Sequence, residues 1–431
     1  MKRTYASEIS PKLNNKKIEL LGWIHEIRDL SNNKFIILRD VSGLTQLICK
    51  KDNLDVFNKI PKLNKESAVK ISGIVKTMKQ APQGAEVVIE NIEVLAESSP
   101  RLPIQTIEKG DLTTGLNKRL DNRFLDLRKP KIQAIFKIQS QIINSFRKFF
   151  FDQKFIEIQP PCIISSASEG GTELFPVKYF EQSAYLAQSP QLYKQMAIQS
   201  FEKVFMTVPV WRAEKHNTIR HLNECRQLDI EIAFTDEFAV MDYLAKSVQF
   251  IVKEVIENCK TELEILNLKI KFPDVKYITY EETINLLKKN KLKINYEDDI
   301  SPEAEKKLEE IFPDTIIFIH DWPSSIKPFY IMPKTLQVKE TLSRGFDAIY
   351  GGIEISSGGQ RVHLPEILIK QIKDKKLNPD NFKYYIDSFR YACPIHSGWS
   401  IGLERFTMAL LKLDNIREAC IWPRDRDRLV P

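Results

Sequence analysis

The sequence predicts a multidomain chain, with a small N-terminal β-barrel followed by a larger α+β domain built on a mainly antiparallel sheet. Three observations carry this. The first hundred or so residues hold short runs that alternate apolar and polar residues, broken by turn-forming pairs. Residues 98–118 (SSPRLPIQTIEKGDLTTGLNK) then lose periodicity and gain Ser, Pro and Gly. Beyond them, helical and strand patterns mix without the regular strand–helix alternation that a parallel sheet needs. A chain of 431 residues also exceeds what one ordinary core accommodates.

Within 18–49, the runs IELLGWIHEI, KFIILRD and LTQLICK are broken at Asn32-Asn33 and Ser42-Gly43, and read as strands joined by hairpin turns. AVKISGIVK and AEVVIENIEVL, between residues 68 and 95, add two more. Five such strands in about 100 residues suggest an OB-type barrel, whose face commonly binds single-stranded nucleic acid. A barrel with no ligand is the plain alternative. The expected division is barrel 1–98, hinge 99–130 and α+β domain 131–431.

In the second domain, Ile132, Ile135, Phe136, Ile142, Ile143, Phe146 and Phe150 share one face of a helix over 131–152. FIEIQPPCII reads as a strand checked by Pro160-Pro161. Segments 204–212 and 224–234 read as two strands joined by the polar loop EKHNTIRHLN, and a long helix covers 239–258. Ser301 as N-cap, with Pro302 at the first helical position, opens a helix over 301–311. A strand IYGGIEISSGG, a helix near 364–376 and a C-terminal helix from about 402 complete the domain.

Composition narrows the class. Apolar residues are 43% and charged residues 28%, and no apolar run reaches membrane-spanning length, so no membrane partner is expected. The six cysteines include no CxxC pair and the six histidines no HExxH, which argues against a disulfide framework or structural zinc and fits a reducing cytoplasm. A P-loop, GxxxxGK[ST], is absent. The net charge of +7 suits a polyanionic partner, though many ordinary enzymes are as basic.

Chemistry concentrates at the ends of the expected strands. In RQLDIEIAF, Leu228, Ile230, Ile232 and Phe234 alternate with Asp229 and Glu231, so one face is core and the other carries acids. Arg212 ends the partner strand, with Glu214, Arg220 and His221 in the following loop. GGIEISSGGQR offers Glu354, Ser357 and Arg361 beside glycines, and HSGWSIGLERF places Arg405 at the start of a helix. Each alone is more simply a surface ion pair or a solvated strand face. Several aimed at one place imply an anionic ligand with a metal, because buried charges without partners are costly.

These segments resemble the class II aminoacyl-tRNA synthetases. FIEIQPP is similar to motif 1, WRAE…RHLNE…LDIEIAF to motif 2, and GWSIGLERF to motif 3. SEGGTELF, AQSPQLYKQM, EISSGGQRVHLPE and WPRDRDRLVP resemble the aspartyl-tRNA synthetases of archaeal and eukaryotic type, and the similarity runs nearly end to end. It implies ATP-dependent ligation of L-aspartate to tRNA(Asp) through an aspartyl-adenylate in a cytoplasmic homodimer, with Mg2+ alongside ATP. Asparaginyl-tRNA synthetase is the nearest alternative.

The resemblance also implies roles. Arg212 bridges the amino acid's carboxylate and the α-phosphate. Arg405, Arg220 and His221 reach the γ-phosphate, Glu214 contacts adenine, and Leu222, Gly402, Leu403 and Glu404 complete the ATP site. Glu354 and Ser357 hold magnesium, Ser357 also facing the aspartate. Lys194 and Arg361 grip the side-chain carboxylate, for which a bidentate guanidinium is the natural partner. On this reading Lys194 opposes asparagine, since a cation facing a neutral amide is left unpaired. Glu169, Gln191 and Asp229 serve the ammonium group and the loop closing over it.

In the barrel, Arg28, Phe35 and Gln46 match positions that read the anticodon, although Phe35 by itself reads equally well as core. The aspartate and asparagine anticodons are separated by their third base, C against U. In the family, histidine at the position of His25 goes with strict enzymes. Lys79, where strict enzymes often have proline, favours relaxed recognition and so tRNA(Asn) as a second partner. Three departures stand out. Ser400 replaces a usual glycine and is expected to tighten the ATP pocket. Cys225-Arg226 replaces an Ala-aromatic pair. Only about 120 residues separate Phe234 from Glu354, too few for the large extra domain of bacterial-type enzymes.

Overall fold

The computed structural model describes residues 2–107, 113–165, 173–336 and 342–431. By contacts these form two compact units, residues 1–129 and 130–431.

In the first unit, β1 (Lys17–Asp29), β2 (Asn33–Asp40), β3 (Gly43–Lys50), β4 (Ala68–Thr77) and β5 (Ala85–Ala96) close into a barrel in the order β1-β2-β3-β5-β4. Only β3 and β5 pair in parallel. The alternation expected from the sequence fills the barrel with Leu20, Ile36, Leu38, Leu47, Val69, Ile71 and Val87, all fully buried. A short helix α1 (Leu54–Lys59), capped by Asn53, joins β3 to β4. Two small helices follow, α2 (Leu116–Asp121) and α3 (Arg123–Asp126). The described residues of 99–129 belong to this unit, and one tie to the barrel is electrostatic. Glu66 takes a bidentate contact from Arg39 at 2.8 and 2.7 Å and a further one from Arg128 at 2.8 Å. Burial works against its ionisation, but these guanidiniums hold its pKa down at about 2.

The second unit opens with α4 (Pro130–Asp152). β6 (Ile156–Glu157), β7 (Ile163–Ile164), β8 (Pro176–Tyr179) and β9 (Gln182–Leu186) follow. Pro160-Pro161 splits the expected FIEIQPPCII strand into two pieces that join different sheets, since proline cannot donate to a ladder. Next come α5 (Gln191–Phe201), β10 (Lys203–Trp211), β11 (Glu224–Ala233), α6 (Glu237–Asn258) and α7 (Lys260–Ile265). Then follow β12 (Asp274–Thr279), α8 (Tyr280–Lys289), α9 (Pro302–Ile311) and β13 (Thr315–His320). Ser301 caps α9 as expected, its hydroxyl accepting from the Ala304 amide. The chain closes with β14 (Gly345–Tyr350), β15 (Ile353–Gln360), α10 (Pro365–Asp374), α11 (Lys383–Phe389), β16 (His396–Gly402) and α12 (Leu403–Leu411).

One further expectation is corrected. IYGGIEISSGG is a hairpin and not one strand: Gly351 and Gly352, at φ 58° and 68°, form the turn between β14 and β15. The helix expected from about 402 is present as α12 and stops at Leu411, where Lys412 turns left-handed at φ 52°.

The main sheet runs β12-β13-β14-β15-β16-β11-β10-β6, antiparallel through its centre with a parallel pair at each edge. One face carries Leu228, Ile230, Trp399 and Ile401, all fully buried, and packs on α4 and α6. The aromatic bulk of α4 is used here: Phe146 lies 5.8 Å from Phe205 and 6.3 Å from Trp399, and Phe149 lies 5.5 Å from Phe250. The other face carries the acids and glycines of β11, β15 and β16. No helix among the described residues is long and apolar enough to cross a membrane.

Candidate active site

On that second face the register aligns Gln227 with Gly402, Asp229 with Ser400 and Glu231 with Gly398 on β16, and Ser400 in turn with Ser357 on β15. Ser357 faces Asp347 on β14. Above this row lies one cavity of about 300 Å³, lined at one end by Gln191, Lys194, Asp229, Ser357 and Arg361. Arg212, Glu214, Arg220, His221, Leu222, Glu354, Gly402, Glu404 and Arg405 line the other. The structure thus brings together every expected site residue of this domain except two. Leu403 is buried in the core instead of lining the cavity, because it begins α12 on the sheet-facing side. Glu169 lies outside the described residues. Gln227 Oε1 and Ser356 Oγ, both buried, have no hydrogen-bond partner in the structure, and both residues line the cavity. Orphaned polar atoms at a cavity wall are what a polar ligand would satisfy.

The first end is a compact charge network. Lys194, 1% exposed, pairs with Asp229 and lies 3.1 Å from Glu231, its ammonium also donating to the Ile230 carbonyl at 3.1 Å. Arg361 forks onto Glu231 at 2.9 and 3.2 Å. Burial opposes ionisation of Glu231, yet Arg361 and Lys194 outweigh it and hold its pKa below the ordinary value. At Asp229 burial wins and pushes the pKa up, against the pull of Lys194. Gly398 makes room for this, since a Cβ there would stand 2.0 Å from Glu231 Oε2. Lys194 and Arg361 are therefore not orphaned without substrate, and the expectation that Lys194 would face an amide unpaired is corrected. Ser400 stands across from Asp229, at this end and not in the ATP pocket, where it favours ionised Asp229.

Behind the network, Gln195 links Gln191, Tyr385 and His396, each contact 2.8 Å. Burial lowers the His396 pKa to about 4, so its ring is neutral. The helical spacing Gln191–Gln195 was the one sequence signal for this layer.

At the second end, Asn223 pins the loop after β10 by donating to the Arg212 and Glu214 carbonyls at 2.7 and 3.0 Å. Burial lowers the His221 pKa despite Glu214, so the imidazole is neutral near pH 7. Arg405 lines the cavity here, and its charge acts on the buried carboxylates of Glu354 and Glu305. Glu404 is buried and receives the Arg226 amide at 3.2 and 3.0 Å, while burial raises its pKa to about 7. Arg226 itself reaches Glu224 at the surface, 3.0 Å away.

Glu354 and Ser357 are three residues apart and would point to opposite faces of a regular strand. Glu354 and Ser356 face the consecutive Ile349 and Ala348, so Ile355 is an extra residue in β15, a bulge that returns Glu354 and Ser357 to one face, beside Asp347. Burial first, then the neighbouring Asp347 and Glu305, raise the Glu354 pKa to about 7. Lys327 partly offsets this, pairing with Asp347 at 2.5 Å. Asp347 and Lys327 escape sequence reasoning because the hairpin reads as one strand and 327 lies in an irregular segment. Among the described residues no three His, Cys, Asp or Glu side chains are grouped to cage a metal. An under-neutralised pair of carboxylates with one hydroxyl is nonetheless a hard-oxygen set that fits Mg2+ completed by phosphates.

In the barrel, Glu26, Arg28, Phe35, Ile37 and Gln46 share the outer face of β1–β3 by register, with Phe35 and Gln46 half-buried and Arg28 exposed. Gln46 donates to Glu86 at 2.9 Å. Lys79 is exposed in the β4–β5 loop. His25 differs: it sits in a bulge of β1, 7% exposed, with Nδ1 3.2 Å from the Arg39 guanidinium. Burial and Arg39 lower its pKa, so it is neutral.

Sequence comparison places this geometry in a family. The profile of class II tRNA synthetases (D, K and N) matches residues 115–426, and that of an OB-fold nucleic acid binding domain matches 18–95. The aspartate–tRNA(Asp/Asn) ligase of Archaeoglobus fulgidus is 43% identical, with 100% of both chains covered. The aspartate–tRNA(Asp) ligase of Pyrococcus furiosus is 45% identical over 99% of each. Among solved structures, asparaginyl-tRNA synthetase from Pyrococcus horikoshii bound to asparaginyl-adenylate superposes with a TM-score of 0.92 at 33% identity, covering 100% of both chains. Aspartyl-tRNA synthetase from Entamoeba histolytica gives 0.88 at 32%, covering 100% of this chain and 93% of that one. The chain belongs to the class II aminoacyl-tRNA synthetases of the aspartate, lysine and asparagine group.

Proposed function

We infer that the protein is an aspartate–tRNA ligase that activates aspartate with ATP and transfers it to tRNA(Asp). The backbone alone does not separate aspartate from asparagine, since the asparagine enzyme superposes as well. The observation that carries the reading is the charge balance at the amino-acid end. Lys194 and Arg361 against Asp229 and Glu231 sum to zero. With Arg212 set against the α-carboxylate, the incoming ammonium adds one positive charge, which a side-chain carboxylate cancels and an amide does not. Asparagine would leave a buried positive charge uncompensated, and sites of this kind reject such an analogue by roughly 10⁴-fold.

In this reading Arg212 orients the α-carboxylate toward the α-phosphate, Asp229 and Gln191 receive the ammonium, and Arg405 and Arg220 neutralise the outer phosphates. Glu354, Ser357 and Asp347 would hold Mg2+, which supplies charge neutralisation on the phosphates when bound. Positioning and electrostatics suffice for the in-line displacement, and no nucleophilic side chain is required. ATP–pyrophosphate exchange tests it: aspartate should support exchange and asparagine should not, and equal exchange with both would overturn the assignment.

For tRNA choice, relatives named for strict and for relaxed specificity are about equally similar, so identity does not decide. His25 is buried and held by Arg39, whereas Lys79 is exposed and offers a contact to phosphate that carries no sequence information. The reading is therefore relaxed, with tRNA(Asn) as a second substrate in the cytoplasm. Aspartate charging of the two transcripts at matched salt should agree within about tenfold; a hundredfold preference would reverse this.

The chain is also read as a homodimer through the region ending at Pro161. Ile156, Ile163, Phe151 and Phe201 are 45–53% exposed around the short strands β6 and β7. Light scattering should give twice the 50.1 kDa chain mass at micromolar concentration. A monomer there would refute it.

A further inference from the structure

We propose that Glu305, on α9, is a positioning residue that holds Arg220 at the nucleotide end of the cavity. The inward stripe of α9 is Ala304, Glu305 and Leu308, and its neighbours Ala304 and Leu308 belong to an apolar cluster with Ile317 and Trp322. A carboxylate only 6% exposed in such a stripe is costly unless its charge is answered. It is answered from the site: Oε2 pairs with Arg220 Nη1, and Oε1 accepts the Glu354 amide at 3.3 Å. Arg220 Nη2 meanwhile donates to the Gly352 carbonyl at 3.1 Å, in the turn between β14 and β15. Two of its nitrogens are thus fixed by acceptors on two elements, while its remaining N–H edges stay available to the cavity that it lines.

The backbone of the same loop is anchored separately, Arg417 Nη1 donating to the Thr218 carbonyl at 3.0 Å and the Ile416 amide to the Ile219 carbonyl at 2.9 Å. Glu305 acts on the side chain. Were Arg220 to leave for a phosphate, it would strand a buried carboxylate, so Glu305 orients the guanidinium and does not compete for it.

The proposal rests on the aspartate-activating reading. It is tested by pyrophosphate exchange in the full-length protein, varying ATP and aspartate separately. Glu305→Ala should raise the KM for ATP about tenfold and leave the KM for aspartate within about twofold, because Glu305 acts only at the nucleotide end. Glu305→Gln, of the same shape and with one acceptor kept, should rescue most of this. In an Arg220→Ala background, Glu305→Ala should add nothing. An unchanged KM for ATP in both Glu305 variants, equal changes for the two substrates, or additive effects with Arg220→Ala would each overturn the proposal. If Glu305→Ala does not fold, Glu305→Met, of similar length and with no acceptor, carries the same cycle. Should the unmodified protein show no exchange with aspartate, the functional reading fails. Calorimetric titration with Mg-ATP alone, expected to be about tenfold weaker for Glu305→Ala, then decides this proposal independently.

Discussion

Replacing Lys194 by methionine should cut aspartate-dependent exchange by roughly a thousandfold or more if, as proposed, the missing cation grips the substrate's side-chain carboxylate beside its two buried acids. The structure adds a second effect. Lys194 answers Asp229 and Glu231, so removing it breaks a buried pair, at a cost of about 3–5 kcal/mol. The variant should therefore unfold several degrees lower, and activity loss alone would not isolate a binding role. The double variant Lys194→Met/Asp229→Asn separates the two effects. Glu231 keeps Arg361 at 2.9 and 3.2 Å, so stability should largely return while exchange stays abolished. Recovery of exchange together with stability would show that Lys194 serves the fold and not the substrate.

Glu354→Gln is expected to do the opposite to stability while lowering exchange by about two orders of magnitude, the scale of several kcal/mol of missing charge neutralisation. The folded pKa of Glu354 is about 7, above the ordinary 4.5. The folded state thus favours the protonated form. That preference is fully present below about 4.5 and is lost as pH rises through 7. Above pH 7 the ionised carboxylate burdens the fold by about 1–2 kcal/mol, with half-burial and solvent screening discounted. Glutamine removes that burden, so the variant should melt a few degrees higher than the unmodified protein at pH 8 and the same at pH 4. Full exchange activity would remove Glu354 from the metal-binding role, and equal melting temperatures at pH 8 would overturn its raised pKa.

Both predictions show where the sequence was enough. The barrel strands were legible because β structure has a period of two, and Ile36, Leu38 and Leu47 had only one way to face inward. Arg212 and Arg361 were legible because charged residues recur at strand ends where nothing in a core would ask for them, and Asp229 because it alternates with apolar residues along β11. His25 was visible as a residue, but not its burial against Arg39, because a bulge shifts the alternation by one and leaves no mark in composition.

By itself the sequence determined the two-domain order, the main strands and the N-cap of α9, since local periodicity and turn chemistry dictate these, and it named the residues that gather around one cavity through their resemblance to a known family. Only the tertiary structure decided what those residues already touch. That Lys194 is paired before any substrate arrives, that Glu354 and Ser357 share a face, and that Glu305 reaches Arg220 across 85 positions of chain depend on register, one bulge and one hairpin turn. Pairing between distant charges is set by which backbone segments lie side by side, and no local pattern encodes that.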